Sequence, residues 1–194
     1  MALALTNESK PSELSAKITV PSFRQLLTDL SIAIKTPPGN SFTKCLGITL
    51  VYGMAALAIG FASGIYTLEL LDIAKFWFLP LTLLLFPSIP EEFFFRGLLI
   101  PRNGLELPWQ RSVSYVIFSA FAFTIWHPLN ALTVNPTAQQ FFLDPYFLTI
   151  VFLLGITCGV SYLLSRSIWV PVLIHWLTVV IWVLFLGGRN LVLE

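Results

Sequence analysis

The feature that most constrains this chain is a succession of stretches as long as a bilayer is thick and almost free of charge. Crossing about 30 Å of hydrocarbon takes about 20 helical residues at 1.5 Å each. Residues 47–66 and 145–165 carry no formal charge, and residues 112–131 and 167–188 each hold one histidine and no charge. A fifth stretch, 76–90, is too short alone and is interrupted by Pro80, Pro87 and Pro90 before Glu91-Glu92-Phe93-Phe94-Phe95-Arg96 resumes an apolar run to Ile100. It reads as a broken span, tolerable where neighbouring groups satisfy the carbonyls that proline frees. The expected fold is all-α, a polytopic transmembrane helix bundle of about five spans plus a short broken or interfacial helix.

Composition agrees. The chain is 56% hydrophobic and 11% charged, against roughly 45–50% and 25% for soluble domains, which excludes an ordinary soluble fold. Eleven Lys and Arg against ten Asp and Glu leave no basic surface for nucleic acid, so the partner implied is membrane lipid. Cys45 and Cys158 are far apart and supply neither a disulfide framework nor a zinc knuckle. The opening residues are too polar for a signal peptide, so the first membrane helix is expected to be retained.

Residues 1–44 form an aqueous arm holding five of the eleven basic residues, Lys10, Lys17, Arg24, Lys35 and Lys44, and residues 45–194 form the membrane domain. Within the arm, Phe23, Leu26, Leu27, Leu30 and Ile34 recur at helical spacing. This suits either a helix lying on the membrane surface or a loosely ordered tail. Cytoplasmic loops collect Lys and Arg. With the N-terminus inside, the cytoplasmic segments hold the arm residues plus Arg102, Arg111 and Arg166, and the outer ones only Lys75 and Arg189. A multi-pass protein with a cytoplasmic N-terminus and an external C-terminus follows.

Five side chains stand where charge or polarity is costly. Each charge at bilayer depth costs about 2.5–3.5 kcal/mol on insertion scales. Glu91 and Glu92 follow Pro90 in a first helical turn, with Ser88 upstream as a candidate cap, where the helix dipole favours anions. Glu92 and Arg96 share a face as an intrahelical ion pair, while Glu91 points about 100° away and is a candidate general base. The chain's only histidines, His127 and His175, both lie inside apolar spans. If the three segments meet, they make a polar pocket in an apolar shell. The plain alternatives are a helix start whose charges face water and histidines that only pack helices. Counted from the cytoplasmic ends, Glu91 and His175 agree at roughly 12–14 Å depth. His127 matches only if its helix starts outside the membrane, near Pro108-Trp109-Gln110-Arg111.

These residues resemble the CAAX-protease and bacteriocin-processing family of Abi-type intramembrane endopeptidases. Its E-E-x-x-x-R motif is present as Glu91 to Arg96, and its F-x-x-x-H motif as Phe123 to His127. Its H-x-x-x-N or H-x-x-x-D motif keeps His175 but has Val179 at the last position. The resemblance implies a CAAX prenyl protease type II-like hydrolase buried near the cytoplasmic side. In it Glu91 is general base on a water also held by His127, and Glu92 with Arg96 is the supporting pair. Phe123 packs the pocket and His175 donates to the oxyanion. Val179 cannot donate, and Asn130 is a candidate substitute. A peptide or protein substrate, lipidated or not, is implied. No cofactor and no metal are expected, with zinc on two histidines and a carboxylate as the alternative, although no H-E-x-x-H is present. Other readings are a catalytically weakened membrane scaffold or immunity-type partner, and a proton or ion carrier. Gly60-x-x-x-Gly64 and Gly155-x-x-x-Gly159 are expected to pack helices within the bundle.

Overall fold

The computed structural model describes residues 22–39, 41–72 and 74–188; Lys10, Lys17 and Arg189, which enter the orientation argument, lie outside them. Helix α1 (Phe23–Lys35) begins at Ser22, whose side chain accepts a hydrogen bond from the Gln25 amide. It is amphipathic, but it is docked rather than only resting on a surface. Ala33 is buried, Leu30 covers Gly97, and the carbonyls of Ile34 and Thr36 accept bonds from Trp169 Nε1 (2.8 Å) and Ser167 Oγ (2.7 Å).

Helix α2 (Ser41–Ser63) crosses away from α1 and stops at Gly64, whose φ of +77° suits a residue without a Cβ. The chain then runs extended, its amides at Thr67, Glu69 and Leu71 bonding to the carbonyls of Leu186, Phe185 and Leu184. The broken span follows as α3 (Leu79–Leu83), a π turn (Leu84–Ser88), α4 (Ile89–Glu92) and a second π turn (Phe93–Leu98). Phe86 leaves helical geometry at φ −156°, ψ 116°. Pro87 has no N–H for the Leu83 carbonyl, and the Ser88 hydroxyl donates to that carbonyl at 2.8 Å instead. Ser88 stands at the N-cap position of α4, as expected from sequence, but its side chain makes no cap bond to the helix and repairs the proline break instead. Two other carbonyls of this irregular segment are satisfied from neighbours, Pro80 by Trp176 Nε1 (2.7 Å) and Phe95 by Ser119 Oγ (2.7 Å).

Helix α5 (Trp109–Thr133) starts at an exposed Trp109 and continues through Pro128. The stretch read from sequence as a loop from Asn130 begins only after Thr133, and residues 134–144 contain helical turns, including α6 (Gln139–Phe142). Helix α7 (Pro145–Ser165) is capped by Asp144, which accepts from the amides of Tyr146 and Phe147. It turns at Arg166 (φ 55°) into α8 (Trp169–Phe185). Three helices are long and apolar enough to cross a membrane, Thr43–Ser63, Trp109–Thr133 and Pro145–Ser165, and Trp169–Phe185 is a shorter apolar helix. The protein is a multi-pass, all-α membrane bundle.

Helix α7 is its centre, packed on α2, α5 and α8. Its glycines allow the closest approach, since a Cβ on Gly155 would sit 3.0 Å from Ala120, and one on Gly159 would sit 3.0 Å from Val116. A Cβ on Gly60 would collide with Tyr66. Both G-x-x-x-G segments thus use a glycine for packing within the chain.

Candidate active site

The second half of the broken span carries Glu91, Glu92 and Arg96 into the bundle centre. Glu92 and Arg96 are fully buried and paired at 3.1 Å. Sequence spacing gives that contact, but not what surrounds it. Glu92 Oε1 also lies 2.9 Å from His175 Nδ1. A carboxylate has no proton to offer in this bond, so Nδ1 donates. The Arg96 guanidinium lies over the Phe123 ring at 4.5 Å and donates to the Gly155 carbonyl at 3.2 Å. Four elements thereby hold one buried charge cluster, which offsets part of the desolvation cost.

Glu91 faces the other way and remains 17% exposed. Its Oε2 lies 3.9 Å from His175 Nε2. Its Oε1 accepts from Trp126 Nε1 at 3.1 Å. Sequence reasoning missed Trp126. The available signal was its position beside His127, in a chain whose other polar intramembrane groups recur near the same level.

His127 Nδ1 donates to the Phe123 carbonyl at 2.9 Å, which leaves Nε2 as the acceptor of the neutral ring. Phe123 stands between the two imidazoles, 4.9 Å from His127 and 5.5 Å from His175 by ring centroids. Phe142, from α6 in the loop, meets His127 edge-on at 4.8 Å. Nothing in the 130–144 stretch signalled a residue covering the site, because its contact depends on how that loop folds back.

Above this cluster lies a cavity of about 450 Å³. Glu91, His127, His175, Phe123, Asn130 and Val179 all line it, so three sequence segments converge on one space, and Asn130 and Val179 both face it. Glu92 and Arg96 lie behind the wall, not on it. Among the described residues no group of three His, Cys, Asp or Glu side chains is arranged to hold a metal ion.

The structure is therefore an intramembrane helix bundle with a buried glutamate–histidine cluster at the floor of an aromatic-walled cavity, an arrangement consistent with an intramembrane catalytic site. The sequence matches the family model described as type II CAAX prenyl endopeptidase Rce1-like over residues 73–181, more than half of the chain, and the chain belongs to that family. Comparisons with curated proteins and with solved structures gave no match.

Proposed function

We propose that the chain is a glutamate-type intramembrane endopeptidase that hydrolyses a peptide bond of a membrane-associated or lipidated protein, as the prenyl endopeptidases named in its family do. The observation that carries this reading is the facing of Glu91 Oε2 and His175 Nε2 at 3.9 Å on the wall of a cavity that His127 also lines. A water there has two acceptors, Glu91 Oε2 and His127 Nε2, and its lone pair is left for the scissile carbonyl. On attack the new C–O bond forms, one water proton passes to Glu91 Oε2, and the carbonyl oxygen becomes an oxyanion. Because the His175 Nδ1–H donates its hydrogen bond to Glu92, the ring can donate from Nε2 as well only as imidazolium. That charge state balances the buried set: Glu91, Glu92 and Arg96 sum to −1, and the imidazolium brings the cluster to zero. His175 then stabilises the oxyanion. The proton on Glu91 passes to the amide nitrogen as the C–N bond breaks, and amine and carboxyl products leave.

In this reading the chain crosses the membrane five times, counting the broken span and α8. Residues 1–44 are the N-terminal arm, 45–194 are the protease domain, and no cofactor is used. One observation favours a second reading, a scaffold or immunity-type partner with the same fold. Val179 lines the cavity one turn from His175 and offers no hydrogen bond. Co-expression with candidate membrane proteins, followed by mass spectrometry of the products from wild type and Glu91→Ala, separates the two. New termini seen only with wild type support the endopeptidase. A Glu91→Ala phenotype equal to wild type overturns it in favour of the scaffold.

A further inference from the structure

The proposed oxyanion has the His175 imidazolium as a donor, and such an oxygen has lone pairs for more than one. Val179, one turn further along α8 on the cavity wall, has no proton to offer. Other polar side chains on the wall are committed or badly placed. Thr82 Oγ1 donates to the Leu79 carbonyl and Thr178 Oγ1 to the Ile174 carbonyl, each at 2.9 Å. Asn130 belongs to α5 with His127, the helix that holds the water rather than the one that holds the oxyanion. Tyr66 packs on Gly60, which lies eight residues past Tyr52 on α2 and so roughly 12 Å along that helix.

Tyr52 differs from these. It lines the cavity and is 5% exposed, and its hydroxyl is buried without a hydrogen-bond partner. Leaving such a group unpaired costs about 1–3 kcal/mol, and most buried polar groups in native proteins are paired. Helix α2 packs on α8 and brings Tyr52 beside Thr178, the residue next to Val179. The Thr178 hydroxyl does not bond to the phenol. This level is three residues past His175, about 4.5 Å of helix rise. A second, apolar hollow of about 300 Å³ between α2 and α7 also borders the Tyr52 side chain. The ring is therefore not locked by close packing, and it can turn its hydroxyl toward a group that fills the cavity.

We propose that Tyr52 is a further catalytic residue, its phenol O–H donating to the oxyanion together with the His175 imidazolium. The role rests on the endopeptidase reading. No proton leaves the phenol. The O–H···O⁻ bond forms as the water oxygen attacks the scissile carbonyl, and it weakens when the C–N bond breaks and the carbonyl returns. The unpaired hydroxyl of the free chain then has a physical reason, because its acceptor exists only on the reacting substrate. A bond made to the oxyanion and not to the resting carbonyl raises turnover without tightening substrate binding.

The test compares wild type, Tyr52→Phe, Val179→Asn and the double variant as full chains purified in detergent. The probe is a prenylated C-A-A-X peptide with a fluorophore and a quencher on opposite sides of its cysteine. Tyr52→Phe keeps the ring and removes only the hydroxyl. Its kcat should fall about 10²–10³-fold with KM near wild type. Its unfolding midpoint should hold or rise, since the hydroxyl had no partner to lose. Val179→Asn supplies an amide for the same oxygen, so in the double variant it should recover about tenfold or more of the lost turnover.

Tyr52→Phe with wild-type kcat overturns the proposal, and if Asn130→Ala then loses turnover, the role passes to Asn130. A lowered unfolding midpoint in Tyr52→Phe also overturns it, by making the hydroxyl a structural group. So does a loss carried by KM, or a loss of equal size in the Val179→Asn background of a stably folded double variant. Failure of the underlying reading looks different. A wild-type chain that leaves this peptide and every co-expressed membrane protein uncut overturns the endopeptidase reading and the role of Tyr52 with it.

Discussion

Glu92 is held by Arg96 at 3.1 Å and by His175 Nδ1 at 2.9 Å, both of them buried. Removing its charge leaves the guanidinium without a counter-ion in a dry interior. Glu92→Gln is therefore expected to destabilise the protein by about 3–5 kcal/mol, read as a lower unfolding midpoint in detergent; an unchanged midpoint would contradict the account of the cluster. Glu91 differs, since it is partly open to the cavity and its partners are weaker. Glu91→Gln should leave folding near wild type while abolishing product formation. Trp126→Phe keeps the ring and removes the donor to Glu91 Oε1. A hydrogen bond to a charged acceptor contributes about 1.5–3 kcal/mol, so cleavage should fall roughly tenfold or more with little change in expression. At Val179, which faces the cavity one turn from His175, Val179→Asn adds an amide on the same helix face. Turnover should rise or hold, by up to about 3 kcal/mol in transition-state binding, whereas His175→Ala should abolish it. A stably inserted Val179→Asn chain with markedly lower turnover would point to Asn130 as the donor to examine.

At the scale of elements, the broken span does what an unbroken helix could not. Its π turns and the break at Phe86 disturb the backbone ladder: the span's own Ser88 takes up the Leu83 carbonyl, and side chains from other elements donate to the carbonyls of Pro80 (Trp176) and Phe95 (Ser119). The irregular stretch is thus tied into the bundle at several heights, which fixes where Glu91 and Glu92 stand. The second tie is α7. Gly155 lets α5 approach, and its carbonyl accepts from Arg96. A Cβ there would meet the Ala120 backbone and Cβ at 3.0 Å, so Gly155→Val should cost about 1–3 kcal/mol through overpacking and disturb the Arg96 contact as well. Gly53 has nothing within 4 Å of a built Cβ, and Gly53→Val is the matched control expected to fold like wild type. Equal thermal stability of the two variants would show that α5 and α7 do not pack as described.

For the molecule as a whole, the buried cluster sets the expected response to metal removal. The proposed chemistry needs a carboxylate, two imidazoles and water. Purified protein should therefore keep its turnover through chelation and carry no stoichiometric metal. Activity lost to a chelator and restored by zinc would replace the glutamate mechanism with a metal one. The same cluster explains why the few intramembrane polar residues lie together. In an apolar solvent each uncompensated charge is expensive, so the charges gather where they can satisfy one another.

The sequence by itself determined the class of fold and the identity of the polar residues. Both follow from local rules: the length of an apolar run against the thickness of a bilayer, proline's missing donor at Pro87, and the four-residue spacing that pairs Glu92 with Arg96. Only the tertiary structure decided which groups meet across helices. It pairs His175 Nδ1 with Glu92, gives Glu91 the Trp126 donor, brings Phe142 from a loop against His127, and turns the Ser88 side chain from an expected cap into the partner of a freed carbonyl. Periodicity along one helix fixes a side chain's angle and depth, but not the rotation and offset of its neighbours, and the site is made from that rotation and offset.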